Sequence, residues 1–406
     1  MSTGLRVFIV FSLGYLVSYL FRGVNIGFGP ILTQELQLSA ADLGTLTSLY
    51  FLGFALMQLP AGVLLDTWGP RRVNACMLLI AAAGTLIYGL SDSLAGLMLG
   101  RLLIGAGVCV CLGSAFQILA QTFPLSRLPL MNGLVMAVGG LGGVLVGSPL
   151  SWVLAYSSWQ SISITLSVVT VLVAGMIWFG APSESSVRRN PPSIATQLAG
   201  TWALLCNARY WRLVSLPVMT TGVFYGVQSL WVLPYLTDVN GVDAKYAAFI
   251  VSLLGIAMMA GNVGLGLMAR RMEAMGLGLY GFGGACMVLF LVTQALIMIQ
   301  APLPLEVLWA AYGAFGSASI LVFALLAGEF ARELLGRVAS TTNLLMFLMI
   351  FLCQVGMGWV LDFWPQHDGT YPREAHLSAW GIVLALQVAA ACWYFWPKKT
   401  RQVLSA

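Results

Sequence analysis

Long apolar runs separated by short polar turns dominate the pattern of this chain from end to end. An α-helix needs about 20 apolar residues to cross a bilayer, and each run is about that long. The strands of a membrane barrel alternate weakly and would not give unbroken runs, so the pattern favours helices. It predicts an all-α polytopic membrane protein with twelve transmembrane helices. The runs cover residues 7–32, 43–65, 73–91, 95–122, 129–156, 159–180, 211–237, 244–269, 277–299, 304–330, 337–361 and 376–396.

One polar interruption is much longer than the others. It lies between the sixth and seventh runs, near the middle of the chain, and is rich in Pro, Ser and Arg at its start. Asp42 at the start of the second run and Asp243 at the start of the eighth can each cap a helix, which gives a weak internal repeat. We therefore expect two pseudo-symmetric six-helix bundles, residues 1–180 and 211–406, joined by a cytoplasmic linker at 181–210.

Charge is scarce and unevenly placed. Only 8% of residues are charged while 59% are hydrophobic, which agrees with an integral membrane protein. Lys245 and Arg373 lie in segments that we expect to be external. The positive-inside rule predicts that both termini are cytoplasmic in an inner membrane, so the net charge of +5 reflects topology rather than a nucleic-acid partner. The predicted cytoplasmic Lys and Arg residues, fifteen of the nineteen, are Arg6, Arg71, Arg72, Arg127, Arg188, Arg189, Arg209, Arg212, Arg270, Arg271, Arg332, Arg337, Lys398, Lys399 and Arg401.

A compact motif, PAGVLLDTWGPRRV, follows the second run at residues 60–73. Its glycines allow close helix approach and a tight turn, and its acid and arginines can pair or cap neighbouring helix ends. We expect these residues to act at a cytoplasmic gate. The gating residues are Gly62, Asp66, Gly69, Arg71 and Arg72.

This motif resembles the signature of the major facilitator superfamily, Gly-x-x-x-Asp-(Arg)-x-Gly-(Arg)-(Arg), with Thr67 in place of the usual basic residue. LMLGRLLIGAG, residues 97–107, resembles the arginine motif of the fourth span in that superfamily and contains Arg101. The resemblance extends over all twelve runs. It implies the major facilitator fold and transport by alternating access, and we expect a monomer in the lipid bilayer.

Arg22 lies inside the first apolar run, in the stretch SYLFRGVNIGFGP. A guanidinium at bilayer depth costs about 2.5 to 3.5 kcal/mol on insertion scales, so it is retained where it faces a wet cavity or a partner. On a helix, Tyr15, Tyr19, Arg22 and Asn25 share one stripe. Arg22 could instead reach the outer surface or pair with a buried acid. None of the fourteen Asp and Glu residues lies in the middle of a predicted span, which disfavours the pairing.

Arg22 and Arg101 are therefore expected to form a positive cavity that favours an anionic ligand. The planar guanidinium matches a carboxylate or phosphate. Superfamily members often use the fourth-span arginine to brace the fifth span, and for Arg101 this alternative stays open. The seventh run repeats the spacing of the first, and the eleventh adds an amide, although an interhelical hydrogen bond is an alternative for each amide. The candidate substrate-binding residues are Tyr19, Arg22, Asn25, Arg101, Tyr225, Gln228, Trp231 and Asn343.

The segment YLVSYLFRGVNIGF also resembles the first span of the anion:cation symporter family. There an Asp-Arg-x-Asn-Leu segment supplies a substrate-binding arginine for organic acids and sugar acids. Arg22 and Asn25 match it, and Tyr19 occupies a tyrosine position. Phe21 stands where the family often has an aspartate implicated in proton coupling, and Val108 stands where some members have a second acid. A proton-coupled protein would need another coupling group.

The sequence favours a secondary transporter that imports a small organic anion, with protons as the expected coupling ion. Efflux of an amphipathic or drug-like compound is the alternative, suggested by the many aromatic and Met residues. A membrane enzyme or sensor is disfavoured, because the sequence has no His cluster and no metal-ligand spacing, and His367 and His376 lie together near the twelfth run. No nucleotide-binding loop occurs, so we expect no ATP, cofactor or metal.

Overall fold

The computed structural model describes residues 3–124, 127–182, 194–331, 334–366 and 370–396, and these residues are almost entirely helical. A π-helical turn, Val227–Trp231, and a 3₁₀ turn, Ser317–Ile320, each connect two successive helices. The helices are α1 Thr3–Gly23, α2 Asn25–Leu36, α3 Ala40–Leu90, α4 Leu94–Val108, α5 Cys111–Thr122, α6 Leu128–Leu145, α7 Ser148–Leu154, α8 Trp159–Gly180, α9 Ile194–Leu205, α10 Ala208–Gly226, α11 Val232–Asp238, α12 Ala244–Ala274, α13 Leu279–Met298, α14 Leu305–Gly316, α15 Leu321–Glu329, α16 Leu335–Leu361 and α17 Arg373–Phe395.

The described helices account for the twelve predicted crossings. Ten helical stretches are long and apolar enough to cross a membrane, and the pair α6 and α7, bent by 46°, adds an eleventh. The stretch α3 has 51 residues. At about 1.5 Å per residue it is more than twice as long as the hydrocarbon core is thick, so it crosses twice. The predicted fold class is confirmed.

The two crossings within α3 are separated by a break at Gly69. Its φ of 78° lies in the left-handed region, which glycine adopts without a steric penalty, and Pro70 follows it. The Arg71 guanidinium donates to the Ala181 carbonyl oxygen at 3.3 Å, and its carbon lies 5.9 Å from the Trp178 ring centroid. The turn is thereby attached to the end of α8.

Several predicted positions cannot be compared with the structure. The division into bundles at 1–180 and 211–406 stays a prediction, because residues 183–193 of the linker lie outside the described residues. The linker does contain α9, which contacts α16 and α3. His367 and the following basic residues also lie outside the described residues: Arg188, Arg189, Arg332, Lys398, Lys399 and Arg401.

Successive crossings alternate in direction, so the bundle has two faces. The terminal face carries Thr3, the break at Gly69 and the end of α17. The opposite face, here named the Asp362 face, carries the turns at residues 37–39, 91–93, 155–158, 239–243 and 299–304 and the segments 362–366 and 370–372.

Small residues bring helix backbones into direct contact. A Cβ at Gly105 of α4 would lie 1.8 Å from the carbonyl oxygen of Tyr50 on α3, and a Cβ at Gly53 would lie 2.2 Å from that of Leu102. Such close approach is typical of membrane helices, in which van der Waals packing replaces the hydrophobic effect between helices. This contact fixes the second crossing against the fourth.

The N-terminal helices (α1–α8) and the C-terminal helices (α10–α17) meet near the Asp362 face. There α3 packs on α16, and α6 packs on α12. A Cβ at Gly44 would lie 2.7 Å from the Gln354 carbonyl oxygen, and the Ser148 N–H donates to the Ser252 hydroxyl at 2.8 Å. These contacts place the first and seventh crossings beside each other.

We expect Gly105→Ala to lower the thermal stability of the detergent-solubilised protein, because the new methyl group overlaps the Tyr50 carbonyl oxygen. Overpacking of this kind typically costs about 1 to 3 kcal/mol. Gly175→Ala is the matched control, since nothing lies within 4 Å of a Cβ there. Equal melting temperatures for the two variants would contradict the close packing of α3 on α4.

Candidate functional site

Arg22 lies near the end of α1, where the chain passes through Val24 into α2. The residue is buried, with 9% of its surface exposed. Its guanidinium carbon lies 4.5 Å from the ring centroid of Tyr19, 5.1 Å from that of Tyr225 and 5.4 Å from that of Phe347. The electron-rich faces of aromatic rings attract cations at these distances. Rings from α1, α10 and α16 therefore enclose the charge.

Candidate residues from the first and seventh runs meet at this point. The hydroxyl oxygens of Tyr19 and Tyr225 are 3.4 Å apart, within hydrogen-bond distance. A small cavity of about 20 Å³ adjoins Arg22, Tyr19 and Gln228. A single water needs about 10 to 15 Å³ on this measure, so the cavity has room for little more than one water. The structure brings four of the eight candidate residues together: Tyr19, Arg22, Tyr225 and Gln228.

The charge of Arg22 is not neutralised by an acid within the described part of the chain. The acids Glu329 and Asp238 pair with Arg209 and His376, and the Nε atom of Arg22 has no hydrogen-bond partner. A buried cation whose neighbours are neutral aromatic and polar groups is incompletely compensated. An unneutralised guanidinium of this kind is chemically suited to an anionic partner.

Arg101 has a different environment. The side chain is fully buried, and it donates to the carbonyl oxygens of Phe21 at 2.9 Å and Thr47 at 3.4 Å. Its guanidinium carbon lies 5.3 Å from the Tyr50 ring centroid. The geometry is that of a brace, which joins α4 to α1 and α3 rather than to the fifth crossing.

Asn25 is also held by protein partners. Its amide nitrogen donates to the Thr47 hydroxyl at 2.9 Å, and its amide oxygen accepts from the Tyr88 hydroxyl at 3.0 Å. The side chain ties the start of α2 to both crossings of α3. These bonds use one of its two amide N–H donors and one acceptor site of its oxygen, and the residue is fully buried.

Gln228 and Trp231 both lie in the π-helical turn. The Gln228 amide donates weakly to the Met258 sulfur at 3.8 Å, and the Trp231 indole donates to the Gln354 carbonyl oxygen at 3.3 Å. Leu230 and Trp231 line a second, larger cavity towards the Asp362 face. The π-helical turn therefore lies between two cavities, and π-helical turns are frequent at functional sites.

The eleventh crossing contributes an aromatic ring that the candidate list omits. Phe347 of α16 contacts Arg22, and it stacks on Phe54 of α3 with ring centroids 3.8 Å apart. Asn343, the predicted residue, is half-buried one turn earlier and lines neither of the two cavities described here. Phe347 follows Asn343 by four residues, so the two lie on the same helix face, and this spacing could have identified the ring from the sequence.

The predicted gating motif lies on the terminal face, at and before the break in α3. Gly62 and Asp66 are half-buried on the last turns before Gly69, and Arg72 is exposed after it. Arg71 joins this turn to α8, as described above. A gating role for these residues stays a prediction.

Comparisons with known proteins agree with this architecture. The profile of the Major Facilitator Superfamily matches residues 11–354. A probable sulfoacetate transporter of Cupriavidus necator is 26% identical over 270 residues, which cover 63% of this chain and 61% of the relative. A probable nitrate/nitrite antiporter of Thermus thermophilus is 27% identical over 241 residues, 55% of this chain and 52% of the relative. A hexuronate transporter of Escherichia coli K12 is 22% identical over 264 residues, 60% of each chain.

The matched part of the chain thus spans about half to three fifths of the length of these relatives. Solved structures resemble the fold over nearly the whole chain. A bacterial homolog of the human lysosomal transporter Spinster has a TM-score of 0.74 at 16% identity, with 97% of both chains covered. A D-xylose-proton symporter has a TM-score of 0.73 at 14% identity, covering 97% of this chain and 98% of the other. With the profile matching most of the sequence, the protein belongs to the Major Facilitator Superfamily of membrane transporters.

Proposed function

We propose that the protein moves a small organic anion of the carboxylate type across the inner membrane by alternating access, in symport with protons. The observation that carries this proposal is the buried Arg22 guanidinium, which has aromatic neighbours but no carboxylate partner among the described residues. The names of three relatives refer to sulfoacetate, nitrate or nitrite, and hexuronate, all of which are anions.

A bound anion would use donors that the protein leaves available around Arg22. The guanidinium N–H groups form a planar fork that fits a carboxylate. The hydroxyl groups of Tyr19 and Tyr225 and the amide of Gln228 lie beside it and can complete the shell. The ligand shell would therefore combine residues of the first and seventh crossings.

The site is too small for a metabolite in this conformation. A cavity of about 20 Å³ holds about one water, so an organic anion must separate Tyr225 or Phe347 from Arg22. Both rings belong to the C-terminal helices, and Arg22 belongs to the N-terminal helices. Anion binding would thus change the contact between the two sets, which is the differential interaction that alternating access requires.

Efflux of an amphipathic compound is the second candidate. The stacked rings of Phe54 and Phe347 and the two tyrosines would suit an apolar ligand. An unpaired guanidinium among them would repel a cationic drug, however, and for this reason we favour the anion.

We expect Arg22→Ala to lower the affinity for the anion by about ten- to more than a hundredfold, since a charge-assisted contact contributes about 1.5 to 3 kcal/mol. Arg22→Lys keeps the charge but loses the planar fork, and should bind weakly. The measurement is calorimetric titration of purified protein with sulfoacetate, glucuronate and the carboxylate that stabilises the protein most in a thermal screen.

Tyr19→Phe and Gln228→Ala are the matched controls for Arg22→Ala, because each removes one neutral hydrogen bond and should weaken binding less. If the folded Arg22→Ala variant binds the anion as tightly as the wild type, the anchor role is refuted. Unchanged or tighter binding of a cationic or neutral amphiphile would favour efflux.

Arg101→Met should lower the melting temperature and leave the anion affinity of the folded protein nearly unchanged. The substitution keeps an apolar chain of similar length but loses the guanidinium hydrogen bonds to the carbonyl oxygens of Phe21 and Thr47, at a cost of about 1 to 3 kcal/mol. Selective loss of affinity with an unchanged melting temperature would instead indicate a ligand contact.

The proposed orientation places the terminal face in the cytoplasm. Arg72 and Arg373 are both exposed, and they lie on opposite faces of the bundle. In a Cys-depleted background, a cysteine at position 373 should react with a membrane-impermeant maleimide in intact cells, and one at position 72 only after permeabilisation. Labelling of position 72 in intact cells, with position 373 protected, would contradict this orientation.

A further inference from the structure

A cavity of about 540 Å³ lies between the N-terminal and C-terminal helices, near the Asp362 face. Its walls come from α2, the start of α3, the π-helical turn, α11, the end of α16 and the start of α17. No Lys or Arg lines it among the described residues. Its ionisable lining groups there are Asp238, Tyr371 and His376.

Asp238 and His376 form a buried pair at the wall of this cavity. Their side chains are 8% and 2% exposed, and the imidazole Nε2 lies 3.0 Å from the carboxylate Oδ2. Oδ2 also accepts the Tyr371 N–H at 3.2 Å, and Oδ1 accepts the Thr237 hydroxyl at 2.9 Å. Both carboxylate oxygens therefore have partners, and His376 belongs to the residue type whose charge can change near neutral pH.

Tyr371 connects this pair to a contact between the two sets of helices. Its hydroxyl donates to the Asp362 carboxylate at 2.5 Å and accepts the Ala40 N–H at 3.0 Å. The two oxygens of Asp362 accept the N–H groups of Ala40 at 2.9 Å and Ala41 at 3.0 Å. A carboxylate is favourable at a helix N-terminus. We name this contact the latch: Asp362 and Tyr371 bound to Ala40 and Ala41, the first residues of α3.

The other ionisable groups around the pair can be named. The Tyr235 ring of α11 packs edge-on against the imidazole, with centroids 5.9 Å apart. Arg373 and Glu374 lie at the start of α17 and are exposed. Burial and the hydrogen bond to Asp362 raise the pKa of Tyr371 to about 12, so its hydroxyl stays a donor near neutral pH. Histidine is the residue type that changes charge between about pH 5 and 8.

We propose that the Asp238–His376 pair is a proton-binding site that controls the latch. A proton on His376 gives an imidazolium that neutralises Asp238, and the closed cavity wall then buries no net charge. Without that proton, Asp238 is a buried anion with only neutral donors, which is costly unless water enters. Water entry loosens Tyr371 and releases Asp362 from α3. Proton binding therefore favours closure of the Asp362 face, and proton loss favours its opening.

This proton-binding site would extend the proposed function. The inference rests on that function in one respect, namely that the Asp362 face is the external gate of a transporter. The site also supplies a proton-binding group in a chain where Phe21 and Val108 replace the acids of the related symporters. A proton taken up from outside would close the external gate behind the anion.

The test measures the opening of the Asp362 face in substrate-free protein in lipid nanodiscs. Spin labels are attached at Tyr156, which is 80% exposed in a turn of the N-terminal helices, and at Lys245, which is exposed at the start of α12. The exposed cysteines Cys76, Cys206 and Cys392 are first replaced by serine. Pulsed electron paramagnetic resonance then gives the distance distribution at about pH 5.5 and about pH 8, on either side of histidine titration.

We expect the long-distance population of the wild type to rise by about fivefold or more at the higher pH, a typical size for coupling between sites. His376→Gln keeps a donor for Asp238 but cannot carry charge, so its distribution should not respond to pH. His367→Gln is the matched control, because it removes the other histidine of the chain, and it should respond like the wild type. Asp362→Asn weakens the latch, so its distance distribution should move towards the long distance at both pH values.

The proposal would be overturned if the wild-type distance distribution did not change with pH, or if the His376→Gln variant responded to pH like the wild type. Tyr371→Phe provides a second variant should His376→Gln not fold: it keeps the pair but breaks the hydroxyl link, so the response should fall sharply, and a full response would count against the latch. Arg22→Ala shows whether the two proposals fail independently. Its distance distribution should still respond to pH, whatever the result of the anion titration.

Discussion

A positive charge inside the membrane, without an acid to neutralise it among the described residues, is the constraint on which this structure depends. Arg22 costs free energy wherever apolar surroundings bury it. Three aromatic rings reduce that cost, and two of them, Tyr225 and Phe347, come from the C-terminal helices. The charge thereby joins the two sets of helices at the place where a ligand would bind. Because the rings compensate the charge only in part, an anion is favoured as that ligand.

The rest of the fold serves to hold this charge and to close the space around it. Arg101 binds the Phe21 carbonyl oxygen, next to Arg22 in the chain, and so fixes the end of α1 against α3 and α4. The π-helical turn separates the small cavity at Gln228 from the large cavity at Trp231. A movement of this one turn would affect both cavities, which provides a physical route between the proposed anion site and the proposed latch.

Much of the fold could be predicted from the sequence, because a membrane helix is specified locally by its apolar length. The shared stripe of Tyr19 and Arg22 and its repeat in the seventh run also follow from local spacing. The partners of Asn25 and Arg101 could not be predicted in this way. Asn25 receives a hydrogen bond from Tyr88, far along the chain, and Arg101 binds backbone carbonyl groups that are present at every residue and leave no sequence signal.

The latch could not have been predicted for the same reason. In the sequence, Asp362 is an ordinary polar residue at the end of a span. Its partners are backbone N–H groups at the start of a helix more than 300 residues earlier. Gly69 was predictable as a turn, whereas the continuation of helix on both sides of it depends on packing.

An experimental structure of the protein with a bound carboxylate or sulfonate would test whether Arg22 is the anion anchor. We expect an anionic oxygen within about 3 Å of an Arg22 guanidinium nitrogen, with Tyr225 or Phe347 displaced from the charge. An anion bound elsewhere, with Arg22 still enclosed by the rings of Tyr19, Tyr225 and Phe347, would contradict the anchor role.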